Sequence, residues 1–327
     1  MKIAFETETF AYFTPFSIKD YVFSNAEVLV VTLRDGAHFG RGEASGVYYH
    51  DETPRRMAEQ IDAVRSEIEQ GIDREALRAI LPAGGARNAV DAALWDLEAQ
   101  QHRQPVWALG DVPSPRALRT TFTVSAGTPR EMAEAALQYR EARAIKLKIT
   151  DVDPVECVKA VRAVRPDVWL GIDANQALDR PTLKKLLPDL LASGVGLIEQ
   201  PFPRGKDADL EGLDSPIAIA ADESVQTFAD LAGLQGRYQV VNIKLDKCGG
   251  LTEGLAMARG ARRLGLKVMV GCMSATSLGI APAFVLAQLC DFVDLDGPMF
   301  LRQDREPSAT YTQGEVWCPE ALWGAPR

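Results

Sequence analysis

The chain reads AIKLKITDVDPVECVKAVRAVRPDVWLGIDAN over residues 144–175. Two apolar segments that end in polar residues flank a stretch in which apolar residues recur at helical spacing. A strand, a helix and a second strand in this order predict a βαβ unit with two parallel strands. Because both strands are nearly continuous apolar runs, we expect a sheet that is buried on both faces.

The same pattern recurs along most of the chain. The polar ends of eight apolar segments lie at positions 123, 148, 173, 199, 222, 244, 272 and 294, which are 22 to 28 residues apart. One βα unit needs a spacing of this kind, and eight units predict a TIM-type barrel with its active site at the carboxyl ends of the strands. The predicted strands cover residues 121–125, 144–150, 168–175, 195–201, 217–224, 240–247, 267–274 and 292–296.

Two of the connecting segments begin with residues that are typical of helix starts. Thr128, Pro129 and Glu131 form the pattern of a capping box with proline at the first helical position. Asp153 and Pro154 repeat this arrangement before the next segment. Both patterns predict that an amphipathic helix follows the strand.

The first hundred residues follow a different pattern. Residues 27–44 read EVLVVTLRDGAHFGRGEA, which predicts two antiparallel strands around a turn at Asp35–Gly36. Residues 86–100 have apolar positions at helical spacing. We therefore predict a small α+β domain over residues 1–115 and a barrel over residues 116–299. Residues 300–327 are expected to pack back on the N-terminal domain.

Composition argues against several classes of protein. The 327 residues carry a net charge of −9 without a run of lysine or arginine, which disfavours nucleic acid and anionic membranes as partners. Residues 268–290 are uncharged, but polar residues, two glycines and a proline interrupt them, so we expect barrel core rather than a membrane span. The first ten residues lack a secretory signal. Five scattered cysteines and three unclustered histidines favour a cytoplasmic protein without disulfides or structural zinc.

Three carboxylates end three consecutive predicted strands: Asp173, Glu199 and Asp222. A single carboxylate in such a place usually caps a helix or forms a surface ion pair. Three that meet at one barrel mouth would repel one another unless a cation lay between them. All-oxygen ligands favour a hard divalent ion, Mg²⁺ before Mn²⁺, and offer nothing that favours zinc. The sequence therefore predicts a metal site at this end of the barrel.

Lysines lie on both sides of these carboxylates. Lys146 and Lys148 are two positions apart in one strand, so both side chains point to the same side. Lys148 ends the strand before the three carboxylate strands, and Lys244 ends the strand after them. A bound cation and a second ammonium group would lower the pKa of such a lysine, as a general base requires. Lys247 lies beyond its strand, so we expect a solvated rim charge or a structural ion pair with the acidic cluster.

Seven stretches of the chain resemble the enolase superfamily, in its muconate-lactonizing-enzyme-like subgroup. They are most similar to the dipeptide epimerases, especially the Ala-Glu epimerases. The resemblance covers nearly the whole chain and implies a modified TIM barrel, (β/α)7β, with an N-terminal α+β capping domain that the C-terminal tail completes. The stretches are LPAGGARNAVDAALWDLEAQ, KLK, DAN, EQP, ADES, VNIKLDKCGGLTE and DLDGP.

The resemblance also implies a reaction and roles for the residues. A dipeptide epimerase inverts the α-carbon of the C-terminal residue by 1,1-proton transfer through an enediolate. The two acid/base groups of the family match Lys148 and Lys244, and the lysine that assists the substrate carboxylate matches Lys146. The ligands of Mg²⁺ match Asp173, Glu199 and Asp222.

Asp294 and Asp296 lie at i and i+2 on the eighth predicted strand and face one side of it. They are either solvated at the barrel rim or, as the resemblance implies, bind the α-ammonium group of a dipeptide. The second alternative argues against substrates without an ammonium group, such as muconate or a succinylated acid. Further positions that match the dipeptide site of the family are Thr123, Cys272, Met273 and Ser274.

The loop around Lys19 and Asp20 departs from the family pattern. Ala-Glu epimerases usually carry an arginine shortly after a Pro-Phe dipeptide, where it holds the Glu side chain. Here no arginine stands between Pro15–Phe16 and Arg34. Either Lys19 replaces it, or Asp20 faces the site and favours a neutral or cationic side chain. Nearby aromatic residues form either a lid for an apolar side chain or ordinary packing, namely Tyr21, Phe23, Tyr48 and Tyr49.

Other functions stay open at this point. A muconate cycloisomerase, an o-succinylbenzoate synthase or an N-succinylamino acid racemase would use the same metal and lysines. An aldolase would use Lys148 as a Schiff-base nucleophile, but the three carboxylates would have no role in it. A non-catalytic binding protein would have little reason to keep two lysines beside three metal ligands. The oligomeric state is open, with a homo-oligomer as one option.

Overall fold

The computed structural model describes residues 1–18, 21–150 and 153–326, and only the backbone of residues 16–18 and 21. It contains an N-terminal α+β domain and a barrel of eight parallel strands. The predicted fold class is therefore confirmed. The carboxyl ends of the barrel strands face the N-terminal domain, and the cavity described below lies between them.

The N-terminal domain is an antiparallel sheet covered by helices. Its strands lie in the order β1 (Lys2–Ile18), β2 (Tyr21–Asp35) and β3 (His38–Ala44). The predicted hairpin and the predicted helix are confirmed as β2–β3 and as the fourth helix, whereas the sequence pattern did not reveal β1. The helices are α1 (Pro54–Ala63), α2 (Arg65–Glu69), α3 (Arg74–Ile80), α4 (Gly85–His102) and the short α5 (Val106–Leu109).

Strand β3 packs against α4 without intervening side chains. A side chain at Gly40 or Gly42 would overlap the carbonyl oxygens of Ala93 and Ala89 in that helix. Glycine is therefore required at both positions because only a bare backbone allows this approach. The close packing explains why α4 is buried along most of its length.

The eight barrel strands follow one another around the barrel in chain order, and all eight predicted strands are confirmed. The amide N–H of Thr121 donates to the carbonyl of Val293 at 2.9 Å, which joins the first strand to the last. After a short strand β4 (Leu118–Arg119), they are β5 (Phe122–Val124), β6 (Ala144–Lys148), β7 (Trp169–Asp173), β8 (Val195–Glu199), β9 (Ala218–Ala221), β10 (Val240–Lys244), β11 (Lys267–Gly271) and β12 (Phe292–Asp294).

The expectation that a helix follows each strand is wrong at two places. Residues 200–217 and 222–239, all of them described, contain only the 3₁₀ helices Asp207–Leu210 and Phe228–Leu234. Prolines and glycines in the first of these segments disfavour an α-helix. The other connections contain α6 (Pro129–Gln138), α7 (Pro154–Val164), α8 (Arg180–Ala192), α9 (Leu245–Cys248), α10 (Leu251–Arg263) and α11 (Ser277–Ala287).

Both predicted helix starts are observed, but only one of them has the predicted capping hydrogen bonds. Thr128 accepts a hydrogen bond from the N–H of Glu131 at 3.3 Å, and the Glu131 carboxylate accepts from the N–H of Thr128 at 2.8 Å. Asp153 does precede α7, but its backbone is left-handed with φ of 47° and its side chain makes no capping hydrogen bond to the described residues. The prediction of a cap at Asp153 is therefore wrong.

The uncharged segment 268–290 forms β11 and α11 in the barrel, as expected. Among the described residues, no helix combines the length and apolar character that a membrane span requires. All five cysteines lie in the described ranges and none forms a disulfide.

The C-terminal segment contacts both parts of the molecule. Strands β13 (Thr310–Thr312) and β14 (Glu315–Trp317) extend a small sheet with β4. Trp323 donates its indole N–H to the carbonyl of Arg41 at 2.8 Å, and the N–H of Gly324 donates to Asp96 at 2.9 Å. The tail therefore connects the N-terminal domain and the barrel. The predicted domain bounds of 1–115 and 116–299 stay a prediction.

A buried ion pair joins the N-terminal domain to the barrel and the tail. The Glu43 carboxylate accepts from Arg305 in the tail at 2.7 Å and from the N–H of Thr276 at 2.8 Å. Arg305 also reaches Glu8 at 2.8 Å. Glu43 is fully shielded from solvent, and burial raises its pKa although Arg305 opposes this. Arg305 therefore helps to hold the N-terminal domain against the barrel.

Replacing Arg305 by leucine should destabilise the protein by about 3–5 kcal/mol, because the buried Glu43 carboxylate would lose its counter-charge. Urea unfolding followed by circular dichroism measures this loss. Arg55→Leu is the matched control, since its partner Glu59 is an exposed residue on the same helix and the pair contributes at most about 1 kcal/mol. Equal losses in the two variants would contradict a special role of the buried pair.

Candidate active site

A cavity of about 700 Å³ opens at the carboxyl ends of the barrel strands, beneath the N-terminal domain. Asp173 and Glu199 lie beneath its surface and are completely buried. Asp20 and Lys19, which the sequence placed near the substrate, lie outside the described residues. The lining residues are Tyr12, Phe23, Tyr48, Tyr49, Thr123, Lys146, Lys148, Asn175, Asp222, Glu223, Lys244, Cys272, Met273, Ser274, Asp294, Asp296, Gly297 and Phe300.

Strand register brings the predicted site residues side by side. Lys148 is paired with Asp173 across β6 and β7, and Asp173 is paired with Glu199 across β7 and β8. Lys244 ends β10, four strands away from β6 in a barrel of eight. Lys148 and Lys244 therefore reach the cavity from opposite sides of the barrel.

One oxygen of each predicted metal ligand is held by a neighbouring donor. Asp173 Oδ1 accepts from the N–H of Asn175 at 2.9 Å. Glu199 Oε1 accepts from Asn242 Nδ2 at 2.6 Å. The third ligand behaves alike, because Asp222 Oδ1 accepts from Lys247 Nζ at 2.5 Å.

The second oxygen of each carboxylate faces a lysine, and that of Glu199 lies 3.6 Å from Lys146 Nζ. Asp173 Oδ2 lies 2.6 Å from Lys148 Nζ, and Asp222 Oδ2 lies 2.7 Å from Lys244 Nζ. Glu199 Oε2 has no hydrogen-bond partner among the described residues. The two lysines predicted to carry protons are thus the counter-ions of the two aspartates.

The charged groups in this cluster strongly shift one another's pKa values. Burial, followed by repulsion from Asp173, raises the pKa of Glu199 to about 8. Burial would raise the pKa of Asp222, but Lys244 and Lys247 hold it well below its usual range. Burial would lower the pKa of Lys244, but the carboxylates of Asp222 and Glu199 raise it well above the ordinary value. The predicted lowering of a lysine pKa therefore requires a bound cation that replaces the lysine as the partner of these carboxylates.

The carboxylate oxygens of Asp173, Glu199 and Asp222 are the kind of ligand that a hard cation prefers, but they do not converge on one point. Across the described ranges of the chain, no three His, Cys, Asp or Glu side chains are grouped so that they could hold a metal ion. Lys148 and Lys244 instead form ion pairs with Asp173 and Asp222. Glu199 Oε2 is buried and accepts no hydrogen bond from the described residues, with only Lys146 Nζ at 3.6 Å, and a cation would satisfy it. The residues present therefore fit a divalent cation, provided that the two lysines move aside.

Lys247 is buried rather than solvated. Its ammonium group donates to Asp222 Oδ1 and to the carbonyl of Asp222, both at 2.5 Å, and to the carbonyl of Asn242 at 3.2 Å. Of the two expectations for this residue, the ion pair with the acidic cluster is the one observed. The short helix α9, directly after β10, returns Lys247 toward the end of β9.

The Asp294–Asp296 pair is engaged within the protein. Asp294 accepts hydrogen bonds from Lys146 and from the hydroxyl of Thr121. Asp296 accepts from the N–H of Thr123 at 2.6 Å. Burial and the nearby Asp294 raise the pKa of Asp296 to about 6. A substrate ammonium group would therefore have to share this pair with donors that are already present.

Residues of the N-terminal domain cover the cavity. Tyr48 and Tyr49 are in edge-to-face contact with ring centroids 5.1 Å apart, and Phe23 lies 5.3 Å from Tyr48. The Tyr12 hydroxyl donates to Ser274 Oγ at 2.5 Å. Of the aromatic residues singled out in the sequence, Phe23, Tyr48 and Tyr49 line the cavity, and their role as a lid for an apolar side chain stays a prediction.

Several residues of the site were not found from the sequence. Asn175 and Glu223 belong to the motifs GIDAN and ADES that also carry predicted ligands, so these motifs were the available signal. Asn242 lies two positions before Lys244 and therefore shares its side of β10. Tyr12 is remote from every motif in the sequence, and only the fold brings it to the site.

Two family models match the chain. The description "Mandelate racemase / muconate lactonizing enzyme, N-terminal domain" covers residues 4–110. The description "Enolase C-terminal domain-like" covers residues 130–321. Together they span the N-terminal domain and nearly all of the barrel.

Characterised proteins and solved structures are similar over almost the full length. The L-Ala-D/L-Glu epimerase of Escherichia coli K12 is 42% identical over 314 residues, which cover 94% of this chain and 97% of the relative. An N-acetyl-D-glutamate racemase of a Pseudoalteromonas species is 38% identical over 91% of this chain and 95% of the relative. A crystal structure of an Agrobacterium tumefaciens enolase family member with homology to dipeptide epimerases, with bound sodium and L-Ala-L-Glu, is 39% identical. It covers 98% of this chain and 99% of its own with a TM-score of 0.95.

The family models and these relatives lead to one conclusion. They extend over both parts of the molecule and include the strands that carry the lysines and carboxylates described above. The chain is an isomerase of the enolase superfamily, in the mandelate racemase and muconate lactonizing enzyme group that contains the dipeptide epimerases.

Proposed function

We propose that the protein is a dipeptide epimerase that inverts the α-carbon of the C-terminal residue of its substrate. The observation that carries this proposal is the position of two lysines on opposite sides of one cavity. Lys148 on β6 and Lys244 on β10 flank the buried carboxylates between them. An α-carbon held between two amines can lose its proton on one face and gain one on the other, which inverts the centre.

In this proposal Asp173, Glu199 and Asp222 hold a divalent cation, Mg²⁺ before Mn²⁺. When bound, the cation supplies positive charge that stabilises the anion formed after proton removal, an effect of several kcal/mol. Lys148 and Lys244 leave the aspartates, and one of them takes the α-proton while the other gives one back. Lys146 lies 3.6 Å from Glu199 and contacts Asp294. Its ammonium group therefore lies beside the proposed metal site, where it would assist the substrate carboxylate.

For the substrate we propose an L-Ala-Glu type dipeptide, in line with the relative from E. coli. Asp294 and Asp296 would bind its ammonium group, and Thr123 with Cys272–Ser274 would line its N-terminal residue. The cavity wall formed by Phe23, Tyr48 and Tyr49 would meet the side chain of the residue that is inverted. An epimerase for apolar or cationic side chains stays an alternative, because the sequence carries Lys19 and Asp20 where Ala-Glu epimerases usually carry an arginine.

A second candidate is racemisation of an N-acylated amino acid. The racemase relative is named for N-acetyl-D-glutamate, a substrate without a free ammonium group. Asp294 is already occupied by Lys146 and Thr121, which leaves Asp296 as the acidic group for an ammonium ion. This observation weakens the argument that the acidic pair excludes acylated substrates.

Replacing Lys148 or Lys244 by alanine should abolish epimerisation of L-Ala-L-Glu, with a loss of at least about 10²-fold, because each face of the α-carbon needs its own proton carrier. Each variant should still exchange the α-proton of one epimer for deuterium in D₂O, as followed by proton NMR. Lys185→Ala, an exposed lysine on α8, is the control and should leave the rate unchanged. Epimerisation by the double variant would refute the assignment.

Mg²⁺ binding should tighten when Lys244 is replaced by methionine, by about tenfold, because an ammonium group that competes for Asp222 is removed. Isothermal titration of MgCl₂ into protein treated with EDTA measures this directly and needs no turnover. Lys185→Met is the control for a lysine far from the site. Weaker binding in Lys244→Met would show that Lys244 supports the metal site instead of competing with the ion.

The two candidate substrates are separated by Asp296. In Asp296→Asn, we expect kcat/KM for L-Ala-L-Glu to fall about tenfold or more, because a charge-assisted hydrogen bond to the ammonium group is lost. The value for N-acetyl-L-glutamate should change little. Mass spectrometry of deuterium uptake gives both values. Deuterium uptake by N-acetyl-L-glutamate alone would favour the racemase, and equal losses for both substrates would place Asp296 in a structural role.

A further inference from the structure

Gln200 directly follows Glu199 and is completely buried, yet neither the sequence motifs nor the proposed chemistry gives it a role. Its side-chain oxygen accepts from the N–H groups of Asp222 at 2.9 Å and Ser224 at 3.1 Å. Its side-chain nitrogen donates to the carbonyl of Phe202 at 2.8 Å and to Ser224 Oγ at 2.9 Å. One amide therefore connects the end of β8 to the end of β9.

The backbone of Gln200 extends this connection to both neighbouring strands. Its N–H donates to the carbonyl of Ala220 in β9 at 2.9 Å. Its carbonyl accepts from the N–H of Gln176, just beyond β7, at 2.8 Å. Gln200 is thus hydrogen-bonded to the ends of the strands that carry Asp173 and Asp222, while Glu199 is its covalent neighbour.

The backbone conformation of Gln200 is unusual. Its φ is +33°, in the left-handed region that side chains other than glycine rarely adopt. Such a residue is retained only where its surroundings hold it in place, and these cases concentrate at functional sites. Here the surroundings are the hydrogen bonds to β9 and Gln176. The strained residue stands between two predicted metal ligands.

We propose that Gln200 is a positioning residue that fixes the separation of Glu199 and Asp222 and thereby sets the affinity for the divalent cation. This inference rests on the proposed metal site. Mg²⁺ demands a nearly ideal octahedron of ligands, so small displacements of a carboxylate weaken its binding. Gln200 touches neither the ion nor the substrate in this scheme, and its effect passes through the backbone of Asp222.

A purely structural role would give a different result, and the chain offers a control for it. Gln239, just before β10, also connects two strand ends, because its side-chain oxygen accepts from the N–H of Ile219 at 2.9 Å. This hydrogen bond lies at the amino ends of β9 and β10, the opposite end of the barrel from the cavity. Gln239→Gly removes this single side-chain hydrogen bond of an exposed residue without touching the predicted metal site.

The test is titration of MgCl₂ into the full-length protein without substrate, by calorimetry, for wild type, Gln200→Gly and Gln239→Gly. Glycine tolerates a φ of +33°, so Gln200→Gly removes the side-chain bonds without adding backbone strain. Gln200→Asn, which tolerates this conformation but has a shorter side chain, is the second variant in case the first does not fold. Unfolding curves in EDTA report the stability of each variant separately.

We expect the Kd for Mg²⁺ to rise about 10- to 100-fold in Gln200→Gly, the range found when residues that orient metal ligands are replaced. In Gln239→Gly it should stay within about twofold, even where stability falls. An unchanged Kd in both Gln200 variants, or an equal rise in Gln239→Gly, would overturn the inference while leaving the metal site intact. Absence of Mg²⁺ binding in the wild-type protein would overturn the proposed metal site and this inference together.

Discussion

The burial of three carboxylates at the mouth of one barrel is the constraint on which the site depends. Asp173, Glu199 and Asp222 are each removed from water and lie near one another. A buried charge without a partner is destabilising by several kcal/mol. The chain meets this constraint with lysines from β6 and β10 and with hydrogen bonds from residues just beyond the strands. The identities of the surrounding side chains follow from this need.

The charge of these carboxylates is balanced by two sets of partners, one that stays in place and one that a cation can replace. Asn175, Asn242 and Lys247 hold one oxygen of each carboxylate, and each of these donors has no other part in the proposed reaction. The other oxygens face Lys148, Lys244 and, at the longer distance of 3.6 Å, Lys146. In physical terms, the same lysines can balance the charge of the carboxylates and act on a substrate, because a cation can replace them without disturbing the first set of contacts.

The sequence predicted the repeating part of this structure well. Barrel strands recur at a fixed spacing, and their polar ends identified the lysines and carboxylates that the fold brings to one cavity. It could not predict contacts between residues distant in sequence, such as Tyr12 with Ser274. It also overestimated local signals, since Asp153 lies at a helix start without capping it. The surroundings of Lys247 could not be predicted, because only the turn of α9 directs its side chain toward Asp222 and away from solvent.

The cavity wall comes from two separate parts of the chain. Tyr12, Phe23, Tyr48 and Tyr49 belong to the N-terminal domain, whereas the lysines and carboxylates belong to the barrel. Substitutions within the first fifty residues can therefore reshape the space available to a bound molecule while the charged cluster stays intact. In evolutionary terms, this separation lets the N-terminal domain change to accept new substrates while the residues of the barrel that transfer protons stay the same.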